Sequence, residues 1–124
     1  MIAEKQTRKI IATCFSKGRR HDFKLFKQSK TSIHPAIKTQ TDTGYQGIQK
    51  LHGNTELPKK RSKKNPLTKE DKKQNQVISS SRVTVENIIR RLKKFRVLAE
   101  KYRCRRKRFA LRLNIIAGIY NFEL

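Results

Sequence analysis

Apolar positions come in short bursts over the first two thirds of the chain and in a sustained helical rhythm from Arg82 onward. Lys9–Phe15, KIIATCF, is rich in β-branched and aromatic side chains, which fit a pleated, half-buried surface, and predicts a strand that SKG ends. In RRHDFKLFKQS, Phe23 and Phe26 stand three apart, the spacing that puts both on one face of a short helix. Pro35 breaks that run, and AIKTQT predicts a brief second strand with Asp42 at its C-terminal end. Beyond Gly44, the three-residue recurrence of Tyr45, Ile48 and Leu51 predicts another short helix, closing at Gly53. TELPKK reads as a weak strand, confined to an edge or a strand end because Pro58 has no amide hydrogen to give to a ladder.

The polar stretch KKRSKKNP is a loop by its charge, since like charges on neighbouring residues oppose regular structure. Thr68 and Asp71 then have the spacing of a capping box and open a polar helix, TKEDKKQNQVIS, which Ser79–Ser81 punctuate. After Arg82 a single stripe follows: Val85, Ile88, Ile89, Leu92, Phe95, Leu98, Ala99 and Tyr102, with Arg90, Arg91, Lys93, Lys94 and Arg96 outside it. CRRKRF interrupts this stripe, and a last helix carries Phe109, Leu113, Ile116 and Tyr120. The expected organisation is one unit over residues 1–124, with a basic loop and short helix over 58–81 and C-terminal helices over 82–124. Alternating strands and helices imply an α/β layer architecture with too few strands to complete a sheet.

Charge changes the picture most. Lys and Arg number 32 against 9 acidic residues, a formal net charge of +23. Such an excess selects a polyanionic partner, because each neutralised phosphate releases counterions. A membrane surface is the rival anion, but no apolar stripe is free of core-forming duty, so no membrane role is expected. MIAEKQTRK lacks the apolar core of a signal peptide, and LRLNIIAGIYNF is too short to span a bilayer. A cytoplasmic, nucleoid-associated protein is the expectation. Cys14 and Cys104 belong to no metal or disulfide spacing, and His21, His34 and His52 are scattered, which suits surface or turn positions. A hydrophobic fraction of 35% is thin for an autonomous core and points to marginal stability.

Two carboxylates stand out against this background. Asp42 follows a strand, where open α/β sheets bind ligands, and Glu86 lies near the first turn of the amphipathic helix at the border of its stripe. Two oxygens from different elements suit a hard divalent cation. The plainer alternatives are that Asp42 caps the turn after it and that Glu86 complements the positive end of its helix. Tyr45 and Tyr102 have the surface to stack on bases, although packing is the commoner fate of such residues.

GRRHDFKLF, TDTGYQGIQKL, VENIIRRLKKFRVL and RCRRKRFALRLNIIAGIYNF occur in this order. Together they resemble the C-terminal half of bacterial insertion-sequence transposases with a DDE catalytic domain, of the kind related to PIF/Harbinger elements. The pairing of D-x-G-Y-x-G with V-E-N-x-I-x-x-x-K-x-F is the more specific part of the likeness. The resemblance implies an RNase H-like fold, here partial, with the first strands of the sheet missing. It makes Asp42 the second catalytic aspartate and Glu86 the catalytic glutamate, both metal ligands for Mg2+ or Mn2+ in a two-metal arrangement. His21 and Asp22 match a recurrent pair of the family; Asp22 would either support the site or cap its own helix, and the structural role is the one expected of it. Gly44 and Tyr45 would shape the turn beside Asp42, and Asn87 and Arg90 would contact DNA or nearby water. Lys59, Lys60, Arg61, Lys63, Lys64, Arg90, Lys93 and Lys94 would grip the backbones of transposon ends and target DNA, contacts that position and do not specify.

The family's first aspartate has no counterpart: Glu4 is the only acid before KIIATCF, and MIAEKQ does not resemble the motif. The expectation is therefore a chain inactive alone, either a remnant or the second reading frame of an element whose upstream product supplies that aspartate. A homo-oligomer is the other expected association. The competing expectation is a small basic nucleic-acid-binding protein without chemistry.

Overall fold

The fold is that of a computed structural model, and the description covers residues 1–16, 19–99 and 108–124. Two units emerge, Met1–Phe15 with Ser81–Leu124, and Ser16–Ser80.

In the first unit the KIIATCF strand forms as Ile10–Ala12 (β2) and pairs antiparallel with Ile2–Ala3 (β1), Ile2 opposite Ala12. β1 is too short to give an alternation signal, so the apolar pattern missed it. The connection turns at Arg8, whose φ of 60° lies in the left-handed region, and the Arg8 carbonyl accepts the Tyr120 hydroxyl at 3.3 Å. Asn121 works as a substitute strand residue: its Oδ1 accepts the Ile10 amide and its Nδ2 donates to the Ile10 carbonyl, both at 2.8 Å. The ladder's exposed backbone groups are thereby satisfied by a helix, Phe109–Phe122 (α4). The core combines Ile10, Ile88, Leu92, Ile116, Ala117 and Tyr120, with Ala3 and Leu98 at its margin. The expected stripe is thus narrower than its sequence, because Ile88 and Leu92 are buried while Val85, Ile89 and Phe95 stay more than a third exposed. Tyr102 and most of CRRKRF lie outside the described residues.

The second unit holds Asp22–Gln28 (α1), Thr39–Gln40 (β3) and Thr55–Glu56 (β4). β3 and β4 pair in parallel, Thr39 opposite Thr55, and Thr41 extends the ladder by donating its amide to the Glu56 carbonyl at 3.1 Å. The weak TELPKK strand therefore forms, ending before Pro58. The helix expected after Gly44 is instead two 3₁₀ turns, Thr43–Tyr45 and Ile48–Lys50, separated by Gly47 at φ 88°. Of the surface or turn positions expected for the histidines, the surface one does not hold for His52, which is 7% exposed. Its Nδ1 faces the Thr55 hydroxyl at 2.9 Å and its Nε2 the His34 carbonyl at 3.1 Å, so Nε2 carries the proton and both ring nitrogens are satisfied. That bonding makes it a structural histidine that ties the 34 and 55 regions together.

Lys69–Leu92 (α2) corrects a second expectation, running unbroken through Ser79–Ser81. Ser80 keeps its hydroxyl inside the helix by donating to the Val77 carbonyl at 2.7 Å, so the serines do not divert the backbone. The short helix expected over 58–81 and the first of the C-terminal helices are one element. It is followed by Arg96–Ala99 (α3).

The capping box forms as read. The Asp71 amide donates to Thr68 Oγ1 at 3.2 Å and the Thr68 amide to Asp71 Oδ2 at 3.1 Å. Asp71 also receives the Lys59 ammonium at 3.0 Å. That side-chain bond, then the Thr68 amide, holds its carboxyl below the usual value. A lowered folded pKa contributes stability that is present above the unfolded value of about 3.9 and is lost as pH falls through the lower folded value. Asp71→Asn is therefore expected to destabilise the protein at pH 7 and to narrow its gap from wild type in melts taken progressively below pH 4. A gap independent of pH would contradict this.

Candidate functional site

Asp42 sits immediately after the last ladder bond of β3, with extended backbone, and caps the 3₁₀ turn Thr43–Tyr45. Its Oδ1 accepts the Thr43 amide at 2.6 Å and the Thr43 hydroxyl at 3.1 Å. The Tyr45 amide returns to the Asp42 carbonyl at 3.0 Å. Capping, the plainer of the two readings, is realised. It also fixes the carboxylate's direction, because amide, hydroxyl and turn constrain one short side chain.

α1 holds that turn from the other side. Tyr45 is half-buried, with ring centroids 5.8 Å from Phe23 and 6.4 Å from Phe26. The Lys27 ammonium lies 4.3 Å above the Phe23 ring. The His21 ring lies beside Gly44, where an added Cβ would stand 3.5 Å from Cε1, ordinary contact. Glycine is therefore not sterically demanded at 44. Gly47, the last glycine of the D-x-G-Y-x-G motif, is the residue whose left-handed φ an L side chain would strain. Burial pushes the Tyr45 hydroxyl pKa up, and the Asp22 and Asp42 carboxylates add to the rise. The phenol consequently stays neutral across the physiological range, and two carboxylates are electrostatic neighbours of one ring. His21, Asp22, Asp42, Gly44 and Tyr45 are all brought together, and packing between α1 and the turn explains how. Asp22 does not cap α1: the capping position is His21, which makes no side-chain cap bond, and Asp22 is an acid in the helix's first turn.

Glu86 and Asn87 are exposed on α2 and belong to the other unit, as do the exposed Arg90, Lys93 and Lys94. Lys59, Lys60, Arg61, Lys63 and Lys64 are exposed in the segment ahead of α2. Asn75 anchors the start of this segment, accepting the Lys59 amide at 2.8 Å and donating to its carbonyl at 3.0 Å. Lys59 itself is engaged by Asp71, which leaves its ammonium less available to an anion. Asn75 and Asn121 are the residues that sequence reasoning missed. An asparagine among apolar or helical neighbours was the available signal, since it needs partners for four hydrogen bonds.

Among the described residues no group of three His, Cys, Asp or Glu is placed to hold a metal ion. Asp42 and Glu86 are oxygen donors of the type that hard cations select, so their chemistry suits a divalent metal. Among the described residues no helix is long and apolar enough to cross a membrane.

A family model for DDE superfamily endonucleases matches residues 1–121. The chain belongs to that family. Divalent metal is the typical cofactor of DDE superfamily endonucleases. The chain is also similar along its whole length, at 45% identity over 124 residues, to a probable transposase for insertion sequence element IS702 from Microchaete diplosiphon. It spans 45% of the length of that relative. No solved structure matches the chain.

Proposed function

We propose that this DDE superfamily endonuclease chain is part of the catalytic domain of an insertion-sequence transposase, and that Asp42 and Glu86 are two of its metal-holding carboxylates. The observation that carries the reading is the similarity of all 124 residues to a probable transposase, joined to family membership over residues 1–121. The fold in this reading is part of an RNase H-like domain, and the metal is Mg2+ or Mn2+. When bound, a metal pair supplies charge stabilisation for the attacking and leaving oxygens of a phosphodiester.

The chain's own residues orient and bind. Thr43 and the turn fix the direction of Asp42, and Tyr45, clamped by Phe23 and Phe26, holds the turn. His21 and Asp22 support that turn. The exposed lysines and arginines contact the backbones of transposon ends and target. With two of the family's three acidic residues on these 124 residues, the chain alone does not cut DNA. Joined to the part of the transposase that it does not span, it does, in the nucleoid-bearing cytoplasm. The test is strand cleavage by the joined and the separate chain with Mg2+. Cleavage by the separate chain, or none by the joined one, would count against the reading.

The exposed run Lys60, Arg61, Lys63 and Lys64 favours a second reading, non-catalytic binding of nucleic acid. Both readings predict salt-sensitive, sequence-independent affinity. Replacing those four residues by Gln should weaken DNA binding and flatten the slope of log affinity against log salt by about 0.9 for each phosphate no longer neutralised. An unchanged slope would remove this segment from the interface. Asp42→Asn separates the readings through cleavage: it abolishes metal-dependent cleavage in the joined enzyme in the first, whereas the second has no cleavage to lose and keeps DNA binding unaffected or slightly tighter.

A further inference from the structure

α1 has two unlike faces. Phe23 and Phe26 turn inward onto Tyr45, in the turn that Asp42 caps. Lys24 and Lys27 are both exposed and fall within roughly 60° of each other on the outer side. Asp22 is the only acid between Arg19 and Lys30, and it lies roughly 140–160° round the helix from these lysines. The groups that hold these cations are neutral. Arg20, ahead of the helix, donates from Nη1 to Gln28 Oε1 at 2.7 Å, and the Lys27 ammonium rests 4.3 Å above the Phe23 ring. Lys38 and Lys59, by contrast, are paired with the carboxylates of Glu56 and Asp71. An amide oxygen or an aromatic face orders a cation and leaves its charge uncompensated, which prepares it for an anion. Lys30, exposed just past the helix, has a φ of 51°, a left-handed conformation that glycine adopts without strain. Keeping a lysine there costs stability, and such outliers cluster at binding and catalytic sites.

We infer that the outer face of α1, with Arg20, Lys24, Lys27 and Lys30, grips the DNA backbone beside the cut, in addition to the cations named above. The inference rests on the transposase reading, which makes Asp42 a metal ligand and DNA the substrate. Charge complementarity selects the occupant, since a phosphate backbone offers closely spaced anions to a row of unneutralised cations. Position supplies the rest. A helix is about 10–12 Å across with its side chains, and the inner face of α1 rests on the Asp42 turn. A duplex that brings its scissile phosphate to Asp42 therefore passes within reach of long side chains on the outer face. Such contacts position the strand and read no sequence.

The test is titration of the 124-residue chain, without metal, against a duplex carrying the boundary of the insertion sequence that encodes it, over a series of salt concentrations. Lys24→Gln with Lys27→Gln should weaken binding at least tenfold and flatten the slope of log affinity against log salt by about 1.8, from about 0.9 for each phosphate no longer neutralised. Lys24→Arg with Lys27→Arg keeps both charges and should bind as the wild type does. Lys30→Gly should melt no lower than the wild type yet bind more weakly, whereas a lysine of purely structural use would leave affinity unchanged. Ethylation of single phosphates locates the contact in the joined enzyme. Those phosphates whose ethylation weakens the wild type but not the glutamine pair should lie within about 10 base pairs, one helical turn, of the element boundary. An unchanged slope in the glutamine pair, an equal loss in the arginine pair, or interference confined to more distant phosphates would each overturn the inference. Should the glutamine pair lose its cooperative melt, unchanged affinity in Lys30→Gly overturns it instead. Because binding is read without metal, its failure is distinct from failure of the transposase reading, which would appear as absent cleavage by a joined enzyme that still binds DNA.

Discussion

Asp42→Asn or Glu86→Gln, made in the transposase completed with its remaining portion, is expected to lower Mg2+-dependent strand cleavage by more than about 100-fold. Removing a group that merely supports a metal ligand typically costs roughly 10–100-fold, and these substitutions remove ligands themselves. Each replacement keeps the shape of the side chain and deletes its charge. For Asp42, the amide oxygen of Asn can still accept the Thr43 amide, a bond that measures 2.6 Å in the wild type, so the turn should persist. DNA affinity should hold or rise slightly, since a negative charge is removed near a polyanion. Cleavage assayed beside DNA binding checks this: loss of both together would mean misfolding, and retention of cleavage would dismiss these carboxylates as ligands.

Ile88→Ala should have the largest effect on stability. Ile88 is 1% exposed, the most deeply buried member of the cluster formed with Ile10, Leu92, Ile116, Ala117 and Tyr120. Truncating such a side chain removes buried methyl groups and leaves a cavity, at a cost of about 2–5 kcal/mol. Small domains are stable by only about 5–15 kcal/mol, and this one combines a thin core with a formal charge of +23, so the variant should lose most of its cooperative unfolding transition. Ile89→Ala, one residue along but 38% exposed, should cost less than about 1 kcal/mol, within the usual range for surface changes. Urea melts followed by helical circular dichroism would compare the two, and equal losses would contradict the placement of the core on the Ile88 side.

Local signals were legible where one short-range rule governed the outcome. The Thr68–Asp71 box opens α2 because each partner meets the other's backbone amide, and Phe23 with Phe26 gives α1 a face. Asp42 stands at the end of its strand, and its neighbours His21, Asp22, Gly44 and Tyr45 do gather around the same turn. What could not be read depends on partners far along the chain. Asn121 completes the β2 ladder from more than a hundred residues away, and His52 is buried because Thr55 and the His34 carbonyl satisfy both of its nitrogens. A serine triplet suggests the end of a helix, yet a hydroxyl can bond within its own turn, so serine is no stop signal when apolar packing continues beyond it. The four-and-three rhythm of α4 identified the inner face correctly, with Ile116 and Tyr120 buried, but gave no sign that Leu111, Ile115, Ile119 and Phe122 stay exposed.

The measurement that bears most directly on Asp42 and Glu86 is iron-directed backbone cleavage in the completed transposase. Fe2+ substituted for Mg2+, with hydrogen peroxide as oxidant and ascorbate to return Fe3+ to Fe2+, generates hydroxyl radicals that cut the polypeptide beside wherever the ion sits. Cuts within a few residues of Asp42 and of Glu86, suppressed by excess Mg2+ and absent after Asp42→Asn, are the predicted result. Cuts elsewhere, or cuts near residue 42 that persist in the variant, would contradict the assignment.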